Sequence, residues 1–324
     1  MTTIIHRIDP NSPDTDIIAS AGQVIRSGGL VAFPTETVYG LGADALNPDA
    51  VSRIYEAKGR PSDNPLILHV ATLSQAESLV VMNPASRELA RTFWPGPLTM
   101  VLPSREIVPS ITRGGLTTVA VRMPDNPVAL ALIRSAGTPI AAPSANRSGR
   151  PSPTDAQSVL ADMDGRIPMI LDGGRTITGI ESTVIDLTDP EHVMLLRPGG
   201  LEREKLEAVL GQKLAVPDTQ SMKRSPGTRY RHYAPNIPVK IWRKGEAFPE
   251  SNYSRTGYIG VNNPPFETGR TVLCADTQEY SHELFAAFRD FEAQGLTCII
   301  AEWPEGDSGI IEGLRDRIIR AAVD

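Results

Sequence analysis

Apolar residues recur at helical spacing over residues 14–27, at Ile17, Ile18, Ala21, Val24 and Ile25, and Gly28-Gly29 ends the run. A short apolar strand at 30–33 follows and stops at Pro34. Residues 47–58 predict a second helix, with Pro48 suited to its first turn and Gly59 just past its end. The alternation continues with a strand at 66–70 and a helix at 85–93 that stops at Trp94-Pro95-Gly96-Pro97. Strands at 98–102 and 118–122, a helix at 127–135, and strands at 139–142, 169–171 and 182–187 complete it. Strands alternating with helices predict an α/β domain with a substantially parallel sheet.

This domain ends near Leu210, after a helix from Glu202. Residues 212–238 have no periodic apolar face and read as a linker, although the core SPGTRYRHYAP is richer in aromatic and cationic groups than a spacer needs. The pattern then resumes with strands at 239–242 and 256–261, a helix at 278–294, a strand at 297–301 and a last helix at about 309–322. The expected organisation is residues 1–211, a linker 212–238 and a small α/β domain at 239–324. A length of 324 residues suits two cores better than one.

Composition narrows the partners. The net charge is -6, so a nucleic-acid backbone has no basic face to meet, and any cationic site is local. Cys274 and Cys298 form neither a disulfide framework nor a zinc quartet, which fits a reducing compartment. The N-terminus lacks the basic and apolar regions of a signal peptide, and no stretch approaches the roughly 20 apolar residues of a membrane span. The expectation is a cytoplasmic protein.

The polar turns carry the candidate chemistry. PTETVYG (34–40) follows a strand and packs three hydroxyls, a carboxylate and a glycine into one turn; a plain helix-capping turn is the alternative. Lys58-Gly59-Arg60-Pro61 places two cations on a stiff turn suited to clamping phosphate, carboxylate or bicarbonate, although cations at a helix C-terminus also simply complement its dipole. His69, in an apolar strand, reads on its own as a satisfied half-buried histidine. Arg122, at a strand end, is suited to a bidentate carboxylate pair or to solvent. Pro143-Ser144-Ala145-Asn146, with Ser148 to Ser152 after it, allows backbone to approach a phosphate. Gly179-Ile180-Glu181-Ser182-Thr183 and Arg197-Pro198-Gly199 are further polar turns at strand ends. There is no P-loop, no dinucleotide fingerprint and no zinc signature. Gly306-Asp307-Ser308-Gly309 spells a serine-protease nucleophile sequence, but it precedes a helix, where Asp307 or Ser308 is better explained as an N-cap.

PTETVYG, KGRP, a Pro-Leu-x-x-His strand, WPGPLT, AVR-x-P, PSAN and GIEST occur here in one order and resemble the YrdC/Sua5 family, the threonylcarbamoyl-AMP synthases, over roughly residues 18–200. The linker and small second domain look like the longer, Sua5-type branch. The resemblance implies a twisted mixed sheet with flanking helices and a concave cleft, plus a small Rossmann-like α/β domain. It implies formation of L-threonylcarbamoyladenylate and pyrophosphate from L-threonine, bicarbonate or CO2, and ATP with Mg²⁺, for a tRNA modification (t6A) at position 37.

By matching position, the resemblance assigns Thr37, His69, Arg122 and Ser182 to threonine. It assigns Arg60, Asn64, Thr118, Ser144, Asn146, Ser152 and Arg197 to ATP, with Tyr230 or Tyr233 closing over the nucleotide. Lys58 and Arg60 would face bicarbonate and the phosphates as the catalytic pair. No resident metal ligand and no general base is assigned. Downstream tRNA-threonylcarbamoyl transferase proteins are the implied partners. Two rivals remain: a double-stranded RNA-binding factor, which the acidic charge disfavours, and a carbamoyl transferase, whose usual fused domains are not visible.

Overall fold

The computed structural model describes residues 2–222, 224, 233–249, 251–307 and 309–322. The larger unit carries strands β1 Ile4–Arg7, β2 Val31–Phe33, β3 Gly40–Asp44, β4 Ile67–His69, β5 Leu98–Pro103, β6 Thr118–Arg122, β7 Ile140–Ala141, β8 Met169–Asp172, β9 Thr183–Asp186 and β10 Met194–Arg197. Its helices are α1 Thr15–Arg26, α2 Pro48–Lys58, α3 Leu73–Leu79, α4 Pro84–Phe93, α5 Pro127–Ala136, α6 Ala156–Met163 and α7 Arg203–Leu210. After α8 Thr219–Met222, the smaller unit holds β11 Val239–Trp242, β12 Thr256–Gly260, β13 Arg270–Leu273, α9 Thr277–Ala293, β14 Cys298–Glu302 and α10 Ile310–Ala321.

The caps follow the sequence logic. Asp14 accepts from the first-turn amides of α1. Asn47 does the same for α2, with Pro48 inside its start and Gly59 beyond its end at φ 63°, the left-handed conformation glycine adopts freely. Gly309, and not Asp307, holds the N-cap position of α10, with no side-chain bond to the helix, while Ser308 lies outside the described residues.

The first sheet runs β1-β8-β2-β3-β7-β4-β6-β5-β9-β10. It is mixed rather than substantially parallel. Antiparallel pairs join β2–β3, β3–β7, β4–β7, β5–β6 and β9–β10, while β1–β8, β2–β8, β4–β6 and β5–β9 are parallel. The alternation misled because β2 turns straight into β3 without a crossover helix. Reading β3 as part of a turn hid that reversal. α1 and α5 cover one face, where Ile18, Ala21 and Ile25 meet Val128, Leu132 and Ile133. All six are buried, and each of the larger ones contributes about 1.5–3 kcal/mol. A larger cluster, including Ile54, Leu68, Val121 and Ile185, packs beyond it.

The second sheet, β11-β14-β12-β13, is parallel throughout, as expected of a Rossmann-like unit. Its core holds Phe285, Phe288 and Phe291 of α9 with Leu314 and Ile318 of α10. Ile180 and Tyr233 belong to the same cluster, so this core reaches into the larger unit.

Candidate active site

The cleft is built around the turn between β2 and β3. Thr35 Oγ1 accepts from the Thr37 and Val38 amides, and the Thr35 and Thr37 hydroxyls lie 2.8 Å apart. A hydroxyl that satisfies its own backbone in this way holds a turn without a following helix. The opening takes in about 580 Å³ of empty space, its open mouth included.

At one end, β4 and β6 are parallel neighbours with His69 opposite Arg122. Arg122 is almost fully buried: Nη1 donates to Thr37 Oγ1 at 2.9 Å, Nε to the Gly96 carbonyl at 3.2 Å, and Nη2 forms an ion pair with Glu36 Oε1 at 2.6 Å. Burial, reinforced by Arg122, pushes His69 down to about 3, so the imidazole is neutral. Its Nδ1 is buried without a hydrogen-bond partner among the described residues, a polar atom available to a ligand. The Ser182 hydroxyl lies 2.8 Å from Thr99 Oγ1 and accepts from Arg197 Nη2 at 3.2 Å.

Arg60, Ser144, Asn146, Arg197 and Tyr233 line the same opening. Arg60 Nη2 donates to the Pro65 carbonyl at 3.1 Å, while its buried Nε has no partner among the described residues. Burial lowers its guanidinium to about 10, which leaves it a cation at neutral pH. Burial also lowers Arg197, whose Nη2 donates to the Ser182 carbonyl at 3.0 Å. Tyr233 carries a positive φ of 68°, uncommon for a side chain of that bulk, and stacks on Phe285 with ring centroids 5.4 Å apart.

Lys58 lies behind this wall and is not one of the residues lining the cleft. Its Nζ donates to the carbonyls of Ser144 at 2.6 Å and Asn146 at 2.5 Å. Burial and then Arg60 hold its pKa well below the usual lysine range. Lys58 therefore braces the loop that carries Ser144 and Asn146. Thr37, Arg60, His69, Arg122, Ser144, Asn146, Ser182, Arg197 and Tyr233 come together around one opening. Asn64, Thr118 and Ser152 do not line it: Asn64 is buried beneath Arg60, Thr118 begins β6, and Ser152 donates to Glu181. Tyr230 lies outside the described residues.

Two carboxylates of the site escaped sequence reasoning. Glu36 faces Arg122, and Glu181 accepts from Ser152 on one side and from Arg317 Nε at 2.6 Å on the other. Both sit inside recognised motifs, but their partners are remote in sequence.

An enclosed cleft with three arginines, several hydroxyls and a neutral imidazole defines the class: an α/β protein binding a small substrate that carries carboxylate and phosphate groups. The comparisons agree. The family described as "Telomere recombination" (Sua5, YciO, YrdC) matches residues 23–199, and the "Threonylcarbamoyl-AMP synthase, C-terminal domain" family matches 201–323. The threonylcarbamoyl-AMP synthase of Pyrococcus abyssi is 46% identical, with 99% of this chain and 98% of that protein aligned. That of Bacillus subtilis is 45% identical over 98% and 96%. The crystal structure of P. abyssi Sua5 complexed with L-threonine superposes with a TM-score of 0.89 at 43% identity, covering 98% of this chain and 97% of that one. The chain belongs to the two-domain Sua5 branch of the YrdC family, the threonylcarbamoyl-AMP synthases, enzymes of the nucleotidyltransferase type. No helix among the described residues is long and apolar enough to cross a membrane.

Proposed function

We propose that this cleft makes L-threonylcarbamoyladenylate from L-threonine, bicarbonate and ATP, the activated precursor of t6A in tRNA. The threonine amine captures CO2 as a carbamate. A carbamate oxygen then attacks the α-phosphorus, and pyrophosphate leaves. Little covalent help is needed, so positioning and charge neutralisation carry the catalysis.

The observation that carries the reading is the gathering of Arg122, Thr37, His69, Ser182, Arg60 and Arg197 around one opening, with Arg197 bonded to Ser182. In this assignment Arg122 takes the threonine carboxylate. The neutral His69 and Ser182 meet the amine and hydroxyl. Arg60, Arg197, Ser144 and Asn146 meet bicarbonate and the phosphates, and Tyr233 closes over the nucleotide. The L-threonine complex of the P. abyssi protein supports the amino acid.

Among the described residues, no three His, Cys, Asp or Glu side chains are grouped to hold a metal ion, and both cleft carboxylates face arginines. This donor set suits anions, so magnesium is assigned to the ATP phosphates as part of the substrate. The cytoplasm is the proposed compartment and later tRNA-threonylcarbamoyl transferase proteins the proposed consumers of the product.

Incubation with ATP, magnesium, bicarbonate and one amino acid at a time tests the reading. Pyrophosphate release that requires both threonine and bicarbonate supports it. ATP binding with no adenylate under any amino acid contradicts it and favours the RNA-binding or carbamoyl-transfer alternatives.

A further inference from the structure

The smaller unit grips both loops that form the nucleotide side of the cleft. α9 holds the loop ending at Ser152. Arg150 pairs bidentately with Glu292 at 2.7 and 2.6 Å, and Arg289 donates to the Pro151 carbonyl and, at 2.7 Å, to Asp162. α9 also holds the approach to Glu181. Ser281 donates to the Thr178 carbonyl at 3.1 Å, and Gly179 lies so close that a Cβ there would come within 2.4 Å of the Ser281 carbonyl.

α10 goes deeper. Arg317 is 0% exposed and ranks first in volume among the fully buried side chains. Its Nε donates to Glu181 at 2.6 Å and its Nη1 to the Pro198 carbonyl at 3.1 Å, while its guanidinium carbon lies 5.0 Å from the Tyr233 ring centroid. Glu181 in turn accepts from Ser152. Gly313, one turn before Arg317, lets the helix approach: a Cβ there would meet the Gly199 backbone at 3.0 Å. Burial alone would disfavour charge on Glu181, yet Arg317 and Arg197 hold its carboxyl below the usual range.

We propose that Arg317 is a positioning residue for nucleotide binding. It fixes Glu181, and through it Ser152, and seats the Tyr233 ring, so the ATP side of the cleft is complete only when the second unit is docked. The inference rests on the cleft being the ATP site. It gives the C-terminal unit an indirect part in nucleotide binding, through Glu181 and Tyr233, which both line the cleft.

The test compares Arg317→Lys, Arg317→Gln and the double variant Arg317→Gln/Glu181→Gln with the wild-type chain. It follows thermal unfolding and the KM values for ATP and threonine. Removing Arg317 alone strands a buried carboxylate and can unfold the protein, whereas the double variant leaves two neutral groups. In whichever of the three variants is folded, the expected result is an ATP KM raised at least about tenfold, the scale of a lost charge-assisted hydrogen bond, with a threonine KM within about twofold of wild type. Equal changes in both KM values, or an ATP KM unchanged in folded variants, overturn the proposal. A wild-type chain that neither binds nor consumes ATP overturns the assignment of the cleft instead.

Discussion

Arg122 Nη2 lies 2.6 Å from Glu36 Oε1 beside the cleft, and both side chains are shielded from water. The pair explains how a cation sits buried before substrate arrives: Glu36 supplies the counter-charge. In the proposed assignment the threonine carboxylate shares Arg122 with it.

Arg122→Ala is expected to raise the threonine KM and also to destabilise the fold by about 3–5 kcal/mol, because Glu36 loses its partner. Adding Glu36→Gln should recover much of the stability and none of the threonine affinity. Thermal unfolding beside threonine titrations separates the two effects. Recovery of threonine affinity in the double variant would contradict the role given to Arg122.

Lys58 and Arg60 should part company. Lys58→Ala frees two carbonyls of the Ser144–Asn146 loop, so it should lower both stability and activity. Arg60→Ala should abolish turnover by losing ATP, with a smaller loss of stability, since one close bond, to the Pro65 carbonyl, goes with it. A Lys58→Ala protein with wild-type stability and only a weakened ATP KM would return Lys58 to the substrate.

His69 sets an acid limit. Its folded pKa, about 3, lies below the ordinary value of 6.5. The neutral ring therefore contributes stability fully above pH 6.5, and that contribution falls as the pH drops towards 3. The slope approaches about 1.4 kcal/mol per pH unit below pH 6.5, so between pH 6.5 and 5 the wild-type chain should lose about 1.6 kcal/mol more than His69→Gln. Denaturant titrations at the two pH values measure this. Parallel losses would mean that His69 takes up its proton in the folded state.

Tyr233 lines the opening, and with the closing role proposed for its ring Tyr233→Ala should raise the ATP KM and increase the share of ATP hydrolysed without product. Tyr233→Phe keeps the stacking on Phe285 and should retain most of the affinity. Quantifying adenylate against free AMP distinguishes these outcomes. Equal behaviour of Ala and Phe would deny the ring a closing role.

The strongly periodic helices and the motif turns were legible from local spacing, because caps and apolar stripes act within a few residues. β3 was not, because Gly40, Gly42 and Ala43 carry no strand signal. Gly42 is there for packing: a Cβ would meet Ile140 and Phe33 at 2.8 Å. The direction of Lys58 was equally hidden, since the carbonyls it serves belong to residues 144 and 146. Glu181 and Arg317 are 136 positions apart, and only docking of the second unit joins them.

The central claim is tested most directly by supplying the purified chain with ATP, magnesium, threonine and isotopically labelled bicarbonate, then resolving the nucleotides by chromatography and mass. The account predicts an adenylate that contains threonine and carries the bicarbonate carbon, formed with one pyrophosphate for each molecule. An unlabelled adenylate, or none beside intact ATP, would contradict it.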